Sequence, residues 1–245
     1  MKNKQALIKN GYLKFSSPAK LNLFLKIINK KNDGYHNLQS IFQLINLQDD
    51  IYIKIRYQDS QINVSNSSLL IKPENDLAFK AAHLMLSNQK LGADIFINKE
   101  IPIGAGLGGG SSNAATVMMA INKLAKLNIS KADLIKSSLK LGADIPFFIN
   151  GKNSWVEGVG EILYDIKIPN FSYILVVPNL SINTKTIFNG FELTNSVIPL
   201  KIASSYKAAD HDLIENDLQD TVIRKYKKMT ALLDWMKTFG NAKMS

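Results

Sequence analysis

Between Pro102 and Ala115 the chain reads PIGAGLGGGSSNAA, five glycines followed by two serines and an apolar periodicity. A run of this kind exposes backbone N–H groups with no side chains in the way. Where it leads into a helix, the free amides of the first turn and the positive end of the helix dipole bind anions, phosphates above all. Pro102, Gly104, Gly106, Leu107, Gly108, Gly109 and Gly110 therefore form a candidate phosphate loop. The hydroxyls of Ser111 and Ser112 add donors, or oxygen ligands for a magnesium ion. Gly104, Gly106 and Gly109 satisfy G-x-G-x-x-G, a pattern shared by unrelated nucleotide sites. The dinucleotide version needs an acidic residue at the end of the next strand, and here the next acidic residue, Asp133, falls in a helical stretch. The Walker version needs a lysine before the hydroxyl pair, and none precedes Ser111. Two readings stay open: an anion loop of another kind, or a glycine segment that serves close packing alone.

Three further places carry residues of chemical use. Lys20 and Asn22 share one face of an alternating stretch, so an ammonium and an amide point the same way, toward a site or toward solvent. Asp144, between Gly142 and Pro146, reads equally as a helix N-cap or as a carboxylate with a chemical role. A turn at Asn32-Asp33-Gly34 projects Tyr35 and His36, an aromatic face and a donor–acceptor ring of the kind that suit a nucleobase.

The elements that must position these residues follow from periodicity. Alternation of Leu21, Leu23, Leu25 and Ile27 with Asn22, Phe24 and Lys26 predicts a half-buried strand, and Asp50 to Tyr57 a second. Further strands are expected near Ile62 to Val64, Asp94 to Asn98 and Tyr173 to Val177. Helical spacing predicts a helix over about Leu77 to Leu86, with Leu77, Ala81, Leu84 and Met85 in one stripe. A stronger helix runs from Asn113 to Leu127 with Ser111 or Ser112 as cap. A third opens on a capping box, Ser130 with Asp133, and closes on Gly142 as a left-handed residue. From Ile214 onward the chain reads mostly helical. The fold class is α+β, with a domain change expected near Pro169 and no flexible linker to mark it.

Composition removes several functions. The 245 residues contain no cysteine, which rules out disulfides, thiolate metal sites and a thiol nucleophile. His36, His83 and His211 lie far apart and show no ligand spacing, so no structural zinc is expected. Thirty basic residues against twenty acidic ones give a net charge of +10, but no cluster is denser than Lys225-Tyr226-Lys227-Lys228. A nucleic-acid surface concentrates its cations; dispersed lysines make a solvated surface with a few charges to spare for a phosphate-rich small molecule. No apolar run approaches the ~20 residues that cross a bilayer, and the N-terminus has no signal-peptide core, so a cytoplasmic location without membrane or nucleic-acid partners is expected. Oligomeric state leaves no mark in the sequence.

At the glycine loop the sequence resembles the superfamily of galactokinase, homoserine kinase, mevalonate kinase and phosphomevalonate kinase, whose phosphate loop reads Pro-x-x-x-Gly-Leu-Gly-Ser-Ser. SPAKLNLFL from Ser17, DGYHNLQSIFQ from Asp33, LGADIPFF from Leu141 and EGVGE from Glu157 narrow the likeness, over essentially the whole chain, to the branch that phosphorylates 4-diphosphocytidyl-2-C-methylerythritol. The resemblance implies ATP as donor with Mg2+, and the acceptor's 2-hydroxyl as target, in the non-mevalonate route to isopentenyl diphosphate. It implies an N-terminal ATP-binding domain like the second domain of ribosomal protein S5 over residues 1–168 and a ferredoxin-like domain over 169–245. Members of the branch continue past the position of Ser245 into a Gly-Thr-Gly loop, a strand and a helix, so the C-terminal domain is expected to be incomplete here. Asp144 becomes the general base, with Lys20 as its partner. Lys99, Asp76 and Leu77 border the nucleotide; Asn22, Tyr35, His36, Thr184 and Phe188 bind the acceptor, Phe188 on the far face of the cytosine from Tyr35. The alternatives are a homoserine- or mevalonate-type kinase and, from another class, an RNA-binding S5-like module. Tyr35-His36 separates the first, because only a nucleotide-bearing acceptor needs that pair.

Overall fold

The computed structural model describes residues 4–68, 75–169, 171–180, 182, 184–191, 199–200 and 215–245. The chain divides into two compact units that interleave: Met1–Lys20, Leu44–Ile103 and Leu107–Gly151 in one, Leu21–Gln43, Gly104–Gly106 and Lys152–Ser245 in the other. The cause is strand length. β1 (Leu13–Lys30) and β2 (His36–Arg56), which pair with each other, each give one end to each unit. Alternation read over seven or eight residues did not show that these strands run on for eighteen and twenty-one.

In the first unit the C-terminal half of β2 runs antiparallel to β4 (Gly92–Asn98), with Ile51 opposite Ile97 and Ile53 opposite Ile95, and β3 (Ile62–Asn66) lies parallel to β4. Ile51, Tyr52 and Ile53 are all buried, so both faces of this strand are covered. On one side Tyr52 and Phe96 pack with Leu7 of α1 (Lys4–Lys9). Helices α2 (Leu77–Leu86) and α3 (Gly109–Leu124) pack against each other. Ala78, Ala81 and Ala82 of α2 and Ala114 and Ala115 of α3 are fully buried, small side chains that let two backbones approach. The buried face of α2 is Ala78, Ala81, Ala82, Met85 and Leu86, rotated by one residue from the expected stripe: Leu77 and Leu84 are only half-buried. Met118 and Ile121 of α3 are completely enclosed, each contributing about 1.5–3 kcal/mol of apolar burial.

Two expected helix ends move. Neither serine caps α3, which begins inside the glycine run at Gly109, on Gly108 in a left-handed conformation. Glycine there adopts φ +70° without a Cβ penalty, so no serine cap is needed to turn the chain. Its C-terminus falls at Leu124, before left-handed Lys126 and Asn128. The capping box forms as expected, with Ser130 accepting from the Asp133 N–H at 3.1 Å and opening α4 (Lys131–Ser138). That helix stops at Ser138, and Gly142 is not left-handed; it lies against Ile145 instead. α5 (Ile145–Asn150) follows, packed on α3 and α4 and closed by left-handed Gly151.

In the second unit the N-terminal half of β2 pairs antiparallel with β5 (Ser154–Glu157), which pairs with β6 (Ile162–Asp165). Phe24 stacks on Trp155 with ring centroids 5.8 Å apart, and Ile41 completes that cluster. Leu25 and Ile27 pack with Ile187 of α6 (Thr184–Asn189), Leu218 and Val222 of α7 (Leu218–Lys225) and Met229 of α8 (Lys227–Lys237). The helical C-terminal stretch is thus as expected, but the strand expected from Tyr173 to Val177 is not: the segment is irregular and its apolar residues are exposed. Among the described residues no strand pairs with it, and an apolar run without a ladder partner has nothing to hold it extended. His211 lies outside the described residues. Among those described, no helix is long and apolar enough to cross a membrane.

Candidate functional site

The first unit brings Lys20, Asp144 and the start of α3 together. Asp144 occupies the N-cap position of α5, with Pro146 holding the first turn, yet its side chain caps nothing. It faces Lys20, whose Nζ lies 3.7 Å from Asp144 Oδ2. The Lys20 side chain is 4% exposed and that of Asp144 35%, so a buried cation sits behind a carboxylate open to a ligand. Burial pushes the Lys20 ammonium below the ordinary lysine value of 10.5, and Asp144 offsets part of that shift. Lys20 also ties β1 to the glycine loop, its N–H donating to Leu107 O at 3.0 Å.

The loop is built for close approach. Gly104, Gly106 and Gly108 have φ of +75°, +76° and +70°, so alternate residues are left-handed. A Cβ on Gly108 would stand 2.8 Å from the Phe148 ring and 3.1 Å from Lys20 Cγ, which leaves room for glycine alone. The first α-helical bond of α3 is Ser112 N–H to Gly108 O at 2.9 Å, and no side chain caps the helix. The amides of Gly109, Gly110 and Ser111 therefore have no partner within the helix and form the positive end of its dipole. Leu77 touches this turn: a Cβ on Gly110 would lie 3.7 Å from Leu77 Cδ1.

Other expected residues are engaged differently. Ser112 is fully buried, with Ser17 Oγ 2.8 Å from both Ser112 Oγ and Asn113 Oδ1. Ser111, half-buried, is the more accessible hydroxyl. Asp76 caps α2, its carboxylate accepting the Ala78 N–H at 2.9 Å. Lys99 forms an ion pair with Asp49, a wholly buried carboxylate. Pro102 is half-buried and Leu107 buried, which seats the loop at both ends. Among the described residues no group of three or more His, Asp or Glu side chains converges as a metal cage.

The second unit holds the aromatic candidates. Gly34 at φ +85° closes a turn in which the Lys31 N–H donates to Tyr35 O, and Asp33 accepts the Tyr35 N–H at 3.0 Å. Tyr35 is 63% exposed whereas His36, the first residue of β2, is buried, so the two do not stand side by side toward solvent. The His36 ring lies 5.6 Å from that of Phe188, tilted by 35°. Burial, helped by the nearby Lys30 charge, holds His36 below the ordinary 6.5, so at neutral pH it has one donor and one acceptor nitrogen. Asn22 is half-buried, its N–H donating to Ser245 Oγ at 2.8 Å. Thr184 opens α6, but its side chain lies outside the described residues.

Residues 76–152, from the cap of α2 to just past α5, match the GHMP kinases N terminal domain. A 4-diphosphocytidyl-2-C-methyl-D-erythritol kinase from Herminiimonas arsenicoxydans is 39% identical over 234 residues, covering 94% of this chain and 81% of its own. One from Polynucleobacter asymbioticus is 42% identical over 226 residues, covering 91% of this chain and 76% of its own. The chain belongs to the 4-diphosphocytidyl-2-C-methyl-D-erythritol kinase family. A crystal structure of a 4-(cytidine 5'-diphospho)-2C-methyl-D-erythritol kinase superposes with a TM-score of 0.75 at 28% identity, over 93% of this chain and 84% of that one. The fold is thus a mixed α/β GHMP kinase fold, and the protein is an ATP-dependent small-molecule kinase.

Two buried polar residues around the glycine loop were missed by sequence reasoning. Ser17 and Asp49 act through partners 95 and 50 residues away, at Ser112 and Lys99. Ser17 lies inside a quoted motif, so a polar side chain beside the alternating strand was a usable signal. Asp49 carries none: it is the first of two adjacent aspartates, and only the fold distinguishes buried Asp49 from Asp50, which pairs with Lys14 at 2.9 Å.

Proposed function

We propose that this kinase transfers the γ-phosphoryl group of ATP to the 2-hydroxyl of 4-diphosphocytidyl-2-C-methyl-D-erythritol, within the non-mevalonate pathway of isoprenoid synthesis. The observation that carries the reaction class is the buried Lys20 ammonium 3.7 Å from the half-exposed Asp144 carboxylate, on a strand bonded to the glycine loop. Asp144 accepts the hydroxyl proton as the new O–P bond forms and the bond to ADP breaks. Lys20 pairs with that carboxylate and orients the attacking oxygen. The amides of Gly109, Gly110 and Ser111, with Gly104, Gly106, Leu107 and Gly108 before them, hold phosphate oxygens, while Leu77 and Lys99 border the nucleotide. Tyr35, His36 and Phe188 receive the cytosine, with Asn22 and Thr184 contributing polar contacts.

Mg2+ retains water and takes phosphate oxygens, so it needs only one or two protein oxygens rather than a cage. The Ser111 hydroxyl fits that demand, Ser112 being engaged by Ser17. When bound, the ion neutralises charge on the phosphates.

At the finer level of fold we propose an S5-domain-2-like domain over residues 1–168 and a ferredoxin-like domain over 169–245. The GHMP kinases match, ending at residue 152, falls wholly within the first. The dispersed charge favours a small-molecule substrate over a nucleic-acid partner, and a cytoplasmic location without a membrane partner belongs to the same reading.

The test is ADP release from the full protein with four acceptors: 4-diphosphocytidyl-2-C-methylerythritol, homoserine, mevalonate and phosphomevalonate. Release that depends on the first alone is expected. Release with any of the others and not the first would overturn the substrate assignment.

A further inference from the structure

Asp49 stands out from every other carboxylate near the glycine loop. It is completely buried, and it takes three donors: the Lys99 ammonium on Oδ2, and the N–H groups of Glu100 at 2.7 Å and Ile101 at 2.8 Å on Oδ1. A buried carboxylate is costly unless its lone pairs are filled, and here they are filled by the three residues that lead from β4 into the loop. Lys99 and Ile101 both press on the first turn of α3. A Cβ on Gly109 would lie 3.3 Å from Lys99 Nζ and 3.0 Å from Ile101 Cγ2. An ammonium beneath a helix N-terminus is a like-charge arrangement, since that end of the dipole is already positive. A bound phosphate would relieve it from one side; Asp49 relieves it from the other.

We propose that Asp49 is a positioning residue for nucleotide binding, clamping the Lys99 ammonium and the backbone of Glu100 and Ile101 so that the loop and the cation are set together under α3. This rests on reading the glycine loop as the ATP site. Asp49 touches no ligand itself; it acts through Lys99 and through the loop's N-terminal stem.

Asp49→Asn separates the two functions of the carboxylate. Its Oδ1 still accepts the two backbone N–H groups, but its Nδ2 is a donor and cannot hold an ammonium. The expected result is a roughly tenfold rise in KM for ATP, with kcat and the acceptor KM within twofold of wild type, in accord with lost ground-state binding. In Asp49→Asn/Lys99→Met no buried charge is left unpaired, so the fold survives even if the single variant melts early. There the ATP KM should equal that of Lys99→Met alone, because asparagine keeps both backbone contacts and the one contact it cannot make, to the ammonium, is already gone. An ATP KM unchanged in Asp49→Asn while its melting temperature falls would show a purely structural carboxylate and overturn the proposal. A lower ATP KM would show that the negative charge opposes the nucleotide, and would overturn it equally. Direct titration of wild type with ATP separates this from the underlying reading: no binding there refutes the loop assignment, whereas binding that Asp49→Asn shares in full refutes the clamp alone.

Discussion

The residues proposed to hold phosphate and those proposed to hold the acceptor are built in opposite ways. In the first unit several candidate residues are fixed by a neighbour: Lys20 is buried behind Asp144, Gly108 fits only because it lacks a Cβ, Ser112 is locked by Ser17, and Lys99 by Asp49. In the second unit Tyr35 projects from a five-residue turn with most of its surface in water, and the rings of His36 and Phe188 rest on each other. Phosphoryl transfer is mostly positioning, so its groups must be set before the ligand arrives. Base recognition tolerates rearrangement, because an aromatic face binds by area and stacking and a tyrosine brings few rotors to immobilise. Damage to the first unit should therefore appear in turnover or in folding, and damage to the second in acceptor affinity.

The sharpest division comes from Asp144→Asn, which removes the proposed proton acceptor and keeps the shape. Turnover should fall by about 10²–10⁴-fold with acceptor KM little changed, as for other general-base deletions; steady-state kinetics in which kcat survives would remove Asp144 from the mechanism. Next is pH. The Lys20 ammonium is held below 10.5 by burial, and only its charged form supports the carboxylate. Turnover should thus decline by roughly tenfold per pH unit on an alkaline limb that begins below 10.5. Lys20→Arg, which cannot lose its proton in that range, should lower turnover but flatten the limb. Gly108→Ala probes folding: a non-glycine residue in the left-handed region costs about 1–2 kcal/mol, and overpacking against Phe148 about 1–3 kcal/mol more. Chemical denaturation showing a loss under 1 kcal/mol would mean the loop relaxes easily and is not the preset half of the comparison. The mildest change is Tyr35→Ala, with a two- to tenfold rise in acceptor KM, about 0.5–1.5 kcal/mol, and stability within about 0.5 kcal/mol of wild type, since an exposed ring supports little packing.

How much of this was legible without coordinates follows the same line. Helix α2, strands β3 and β4 and a glycine loop leading into a helix were plain because local periodicity and glycine spacing encode them directly. The resemblance pointed to Lys20 and Asp144 as partners, and their pairing across 124 positions of chain is a property of the fold. The start of α3 was misplaced because serine is a familiar cap and the glycines looked like loop; left-handed Gly108 starts the helix without a side-chain cap. Gly142 looked like a helix stop for its residue type, yet no close contact or left-handed angle requires glycine there. Tyr173 to Val177 has the composition of a strand, but a strand exists only where another pairs with it. Asp49 was invisible because nothing local tells a wholly buried aspartate from its half-buried neighbour Asp50.

The division of labour can be tested directly by titrating wild type and Tyr35→Ala/Phe188→Ala with ATP and, separately, with 4-diphosphocytidyl-2-C-methylerythritol in a calorimeter. Both substitutions lie in the second unit, and neither residue is part of the phosphate loop. The account predicts that acceptor affinity falls at least tenfold while the Kd for ATP stays within twofold. ATP binding weakened by the double substitution, with acceptor binding intact, would contradict it and show that the two ends had been assigned the wrong way round.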